Sequence, residues 1–91
     1  MIQRLKRRPT TPGEILREEF LAPTGTTQVE LAAQMGIPLQ RVNSIIAGRR
    51  AVSAETALLL AKVLGTTPEF WMNLQTAVDL WDANERLKAA G

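Results

Sequence analysis

The 91-residue chain contains no cysteine and no histidine. The first absence excludes a disulfide framework and any thiolate metal site. The second removes the usual neutral-pH general base and the commonest metal ligand. Tyrosine is also missing, and the aromatic residues are two phenylalanines and two tryptophans. No apolar run approaches the ~20 residues of a membrane span. The basic start of the chain is not followed by the apolar stretch of a secretory signal. Carboxylates such as Glu18, Glu19 and Glu30 fall at exposed helical spacing, with no residue beside them that would make an acid–base or nucleophilic site. Together these gaps predict a cytoplasmic protein that is not an enzyme. They predict no metal, no cofactor, no small-molecule ligand and no membrane contact.

The remainder is ordinary for a folded domain: 45% hydrophobic and 22% charged residues, with a net charge of +2. A chain this short makes one small domain with a modest core, and dimerisation is a natural way to bury more surface. So small a net charge says little about nucleic acid; its distribution says more. Arg4, Lys6, Arg7 and Arg8 crowd residues 1–10 with no acid among them. This divides the chain into a basic N-terminal arm, 1–10, and a helical domain, 11–91. The arm suits phosphates or a minor groove, and a solvated, frayed terminus is the other reading.

Five helices are expected. Thr11-Pro12-Gly13-Glu14 opens the first with a cap, a proline at the first helical position and a glutamate three residues on. Ile15, Leu16, Phe20 and Leu21 turn inward, and Pro23 with Gly25 is expected to stop it. Thr27 and Glu30 repeat the capping-box spacing for the second helix, which Gly36 ends. Pro38 starts the third. Ser53 starts the fourth, Ala54 to Leu64, an alanine- and leucine-rich core helix. Thr67-Pro68 starts the fifth, expected over 68–88. Its apolar stripe, with both tryptophans, exceeds what one small bundle covers. That points to a homodimer interface at Trp71, Leu74, Val78 and Trp81; burial in the chain's own core is the alternative.

The second and third helices carry the functional signal. Counting from Gln28, Leu31 and Ala32 are fourth and fifth, Gly36 ninth, Val42 fifteenth and Ile45 eighteenth. The fifth place must be small where two helices approach. The ninth needs a positive φ, which glycine accepts. The last two anchor the third helix and leave its other side free for a major groove. This pattern resembles the helix-turn-helix of phage repressors and Cro proteins. The resemblance implies an all-α, five-helix lambda-repressor-like (Cro/C1-type, XRE) DNA-binding domain.

Three further segments narrow it: Pro12-Gly13-Glu14-Ile15-Leu16, the junction Ile45-Ile46-Ala47-Gly48-Arg49-Arg50, and Gly65 to Gln75, GTTPEFWMNLQ. They resemble the HigA, or VapI-like, family of antitoxins, from Pro12 to about Leu80. The family implies a dimer that represses its own operon on operator DNA. It also implies a HigB-like toxin partner of RelE fold that cleaves mRNA. A free-standing XRE-type repressor and a protein-binding module that has lost DNA binding are the alternatives. By position, the base-reading candidates are Leu39, Gln40, Arg41, Asn43 and Ser44. Gln pairs bidentately with adenine and Arg with guanine, and Arg41 would sit on a guanine or on a phosphate. Thr27, Gln28, Arg49 and Arg50 are the phosphate candidates. Pro38 departs from the serine or threonine cap usual in relatives, and Leu39 stands where phage repressors use a polar reader; Leu39 suits a thymine methyl instead.

Overall fold

Among the described residues, a hydroxyl side chain opens four of the five helices. In the computed structural model, which describes residues 7–91, Thr11, Thr27, Ser53 and Thr67 each accept a backbone N–H three residues on. Thr11 and Thr27 complete the capping box with Glu14 and Glu30. Each such cap stabilises its helix by about 1 kcal/mol. Pro38 opens the remaining helix with no side-chain cap, its φ of −63° already close to helical.

The described residues thus form α1 (12–24), α2 (Gln28–Met35), α3 (Leu39–Ile46), α4 (Ala54–Leu64) and α5 (Pro68–Ala90). Arg4 and Lys6 of the basic arm lie outside the described residues. Two boundaries differ from expectation. α5 runs to Ala90 rather than 88. α1 runs through Pro23 to Thr24, and Gly25 ends it at φ 67°. The reason is a wide turn. Over Leu16–Leu21 the helix opens to π geometry, and Ala22 N–H bonds to Arg17 O. Proline lacks an N–H and its ring presses on the preceding turn; the wider turn absorbs both defects. Thr24 Oγ1 then donates to Phe20 O at 2.7 Å.

The core gathers one face from every helix: Leu16 and Leu21, Leu31 and Met35, Val42 and Ile45, Ala57 and Leu60, and Trp71. Trp71 is its largest member. It is wholly buried, packs at ring distances of 5.3 Å and 5.0 Å from Phe20 and Phe70, and donates its indole N–H to Thr66 Oγ1 at 2.7 Å. Val78 is buried as well, at 3% exposure. This corrects two of the four dimer-interface candidates: Trp71 and Val78 spend their surface on their own chain and have none for a partner. Leu74 and Trp81 remain partly exposed.

Gly13 sets how closely α1 meets α3. A Cβ there would collide with the Ile45 carbonyl and lie 2.8 Å from Ile46 Cα. Only a residue without a side chain lets the start of α1 lean on the end of α3. Among the described residues no helix is long and apolar enough to cross a membrane.

Candidate nucleic-acid interface

The two helices of the motif divide cleanly into an inner and an outer side. α2 buries Leu31, Ala32 and Met35, and α3 buries Val42, Ile45 and Ile46. Gly36 turns the chain between them at φ 70°, and Ile37 N–H bonds back to Ala32 O at 3.1 Å. The small side chain of Ala32 suits that approach. With its apolar stripe committed, α3 leaves Gln40 and Asn43 exposed, Leu39 39% exposed and Ser44 half-buried.

Arg49 and Arg50 are brought beside this outer side by the end of α3. Gly48 takes φ 80°, and the backbone N–H groups of Arg49 and Arg50 both donate to Ser44 O, at 2.9 Å and 3.2 Å. The chain therefore doubles back over the last turn of its helix. Arg50 and Gln40, Arg41, Ser44 and Pro38 line one shallow depression. Residues 37–52 carry no acid, and Arg49 and Arg50 are exposed, so this side presents positive charge next to hydrogen-bonding side chains. That combination binds phosphates and reads base edges.

Thr27 and Gln28 stand at the start of α2, exposed and half-buried respectively, where backbone N–H groups favour an anion. They share a groove with Arg17. Arg17 has no positional signal in the sequence, because its place beside Thr27 depends on how α1 passes α2. It is a further candidate for a phosphate.

One residue departs from its expected orientation. Arg41 lines the shallow depression but does not extend freely as Gln40 and Asn43 do. Its Nη2 donates to Glu55 Oε1 at 3.3 Å and to Thr56 Oγ1 at 3.2 Å, drawing the guanidinium toward the start of α4.

Two supports behind the interface carry no local sequence signal. Gln75, 8% exposed on α5, accepts Val52 N–H on Oε1 at 2.8 Å and donates from Nε2 to Asp79 at 2.9 Å. Arg8 forms a two-pronged pair with Asp82, with Nε and Nη2 both at 2.9 Å. The Arg8 hydrogen bond holds the Asp82 carboxyl below its usual range, and Asp82 in turn raises Arg8. The part of the basic lead at Arg8 is therefore engaged on α5. Among the described residues no cluster of carboxylates suited to a metal ion occurs.

The helix-turn-helix family model matches residues 16–71. Antitoxin HigA-1 of Vibrio cholerae serotype O1 is 47% identical over 85 residues, covering 93% of this chain and 80% of its own length. The solved Pseudomonas aeruginosa antitoxin HigA with the higBA promoter superposes with a TM-score of 0.87 at 36% identity, over 91% of this chain and 90% of that one. Antitoxin GraA in complex with its operator superposes with a TM-score of 0.85 at 45% identity, over 98% and 90%.

Proposed function

Because the chain belongs to the helix-turn-helix family and, within it, to the HigA-type antitoxins, we propose that it represses its own operon and neutralises a toxin encoded beside it. On DNA, α3 enters the major groove and presents Gln40, Asn43 and Ser44 to base edges, with Leu39 against a thymine methyl. Arg49, Arg50, Thr27 and Gln28 hold the phosphates on either side. Two copies on a palindromic site place their α3 helices one helical turn apart, about 34–36 Å. The partner is a HigB-like, RelE-fold toxin that cleaves mRNA.

The observation that carries the DNA reading is the split of α3: Val42, Ile45 and Ile46 are buried, while Gln40 and Asn43 lie open next to Arg49 and Arg50. The dimer rests on α5, which leaves Leu80 66% exposed and Leu87 73% exposed, with Leu74 and Trp81 partly so. Leucines bared to that degree along one helix favour a second apolar surface.

Co-expression of the tagged chain with the short reading frame beside its gene tests the antitoxin role. Growth arrest by the neighbour alone, with rescue and co-purification by the pair, supports it. A harmless neighbour that does not elute with the tag reduces the reading to a free-standing repressor. Failure of the purified chain to enrich any duplex from a randomised library would remove the DNA role.

A further inference from the structure

Arg41 sits among residues that face outward, yet its side chain is only 22% exposed. The hydroxyl that it meets belongs to Thr56, which is 2% exposed. That hydroxyl also takes a hydrogen bond from Ser53 Oγ at 3.1 Å, and Ser53 Oγ accepts Thr56 N–H at 3.3 Å to cap α4. Glu55, the other acceptor, lies in the first turn of α4. The guanidinium is thus fastened to the capping network of the next helix, 15 residues along the chain.

The arrangement carries a cost. Arg41 Nε is buried and meets no acceptor, and a buried donor left unpaired opposes folding. An apolar side chain of similar length would fill the same space without that cost. What the guanidinium supplies is direction: a single planar NH2 group, Nη2, donates to Glu55 and to Thr56 at once, and the fixed angle between its two N–H bonds holds both partners in one geometry, as an apolar side chain does not. The two helices that it joins are the reading helix and the helix that follows the Arg49-Arg50 loop.

We infer that Arg41 is a positioning residue for DNA reading. It clamps α3 to the start of α4 so that Gln40, Asn43 and Ser44 meet the base edges at one fixed pitch, and it touches neither base nor phosphate itself. This rests on the DNA-binding reading above.

The test uses the full chain, the duplex that the native chain enriches from a randomised library, and a scrambled duplex of equal length. R41M keeps the stem and removes the guanidinium; T56V keeps the shape and removes the acceptor. Each is expected to lower the ratio of specific to scrambled affinity about tenfold, the size of one weakened bidentate base contact. The loss should be spread over the site, the slope of log Kd against log salt should stay native, and the double variant should be no worse than the worse single one. A slope smaller by about 1 in R41M identifies a phosphate contact and overturns the inference. So does a loss confined to one base pair, which identifies a base reader. An unchanged ratio in T56V, measured well below its melting temperature, overturns it too, because a contact that only stabilises would leave the ratio alone. Should R41M fail to fold, T56V decides by itself. A native chain that enriches no duplex refutes the DNA-binding reading, not the clamp alone.

Discussion

Gln75 on α5 reaches across to the backbone of Val52, and the 2.8 Å hydrogen bond between them is buried. Val52 lies two residues beyond Arg50, so the last helix holds the loop that carries the candidate phosphate contacts. The same amide donates to Asp79, which fixes which way round it sits. Replacing Gln75 by Leu leaves the Val52 N–H without an acceptor, at a cost of about 1–3 kcal/mol. For a domain of this size that lowers Tm by roughly 4–8 °C per kcal/mol, as a circular dichroism melt would read. Binding to specific and scrambled duplexes should weaken together, because phosphates are sequence-blind. A native Tm for Q75L would mean that the bond contributes nothing.

Gly13 tests the approach of α1 to α3. In an open helix, Gly to Ala stabilises by roughly 0.5–1 kcal/mol. Here the new methyl meets the Ile45 carbonyl and the Ile46 Cα, and backbone cannot swing aside as a side-chain tip can. Overpacking of this kind costs about 1–3 kcal/mol. G13A should therefore destabilise, against its helix propensity, and should weaken DNA binding because α3, which α1 presses on, is the proposed reading helix. An unchanged or raised Tm in a thermal melt would show that α1 can move away freely.

Helix starts are readable in the sequence because cap chemistry is local: a threonine or serine and the amide three residues on suffice. The motif is readable for the same reason, since Ala32, Gly36, Val42 and Ile45 each answer a constraint set within a few residues. Pro23 misleads because its local signal is to stop a helix, while the wide turn over Leu16–Leu21 lets the helix continue through it. Arg41 misleads in a different way. Its place on α3 is readable, but its partners on α4 exist only once the two helices are packed. Trp71 and Val78 share a stripe with Leu74 and Trp81, and periodicity alone cannot divide a stripe between a chain's own core and a partner. The Arg8–Asp82 pair spans 74 positions, beyond any local pattern.

That pair gives a dependence on acid. Asp82 titrates lower in the folded chain than in the unfolded one, chiefly through the Arg8 hydrogen bond. Its contribution is present above the ordinary aspartate value of about 3.9 and is lost as the pH falls through the lower folded value. Glu14, held low by its bonds to the Thr11 backbone and hydroxyl, shifts in the same direction. The Arg8 side-chain N–H resonance should therefore move toward its free position below about pH 4, and also at neutral pH as salt is raised, because the pair is exposed. In D82N both changes should disappear. A resonance insensitive to acid in the native chain would argue that the lead is held by something else.

The arginines after α3 and the glutamine on it should respond differently to salt and to sequence. Arg49→Ala or Arg50→Ala removes one candidate phosphate contact. Affinity should fall on every duplex, and the slope of log Kd against log salt should shrink by about 1. Gln40→Ala should leave that slope alone and cost about 1–3 kcal/mol at one base pair. Fluorescence anisotropy on the enriched and scrambled duplexes separates the two patterns. If Q40A weakened both duplexes equally, α3 would not be the reading helix.

Leu80 and Leu87 lie seven residues apart on α5, two turns along one side, and both are exposed. Substituting glutamate at both places puts like charges where two such helices would meet. Neither side chain belongs to the buried core, so the folded chain should keep its helicity and its Tm at dilutions where the native protein is monomeric. In the sedimentation profile, the native chain should shift from dimer to monomer on dilution, and the double variant should remain monomeric throughout. DNA binding follows from this. A dimer engages the second half-site intramolecularly, at an effective concentration that a pair of monomers lacks. The variant should therefore lose affinity for a full palindrome by about 100-fold or more, on the scale of such linkage, while binding a single half-site as the native chain does. If L80E/L87E sedimented as a dimer, the interface would lie on another surface of the molecule. If it were monomeric yet bound the palindrome as the native chain does, the two half-sites would be filled independently, and pairing through α5 would have no part in operator recognition.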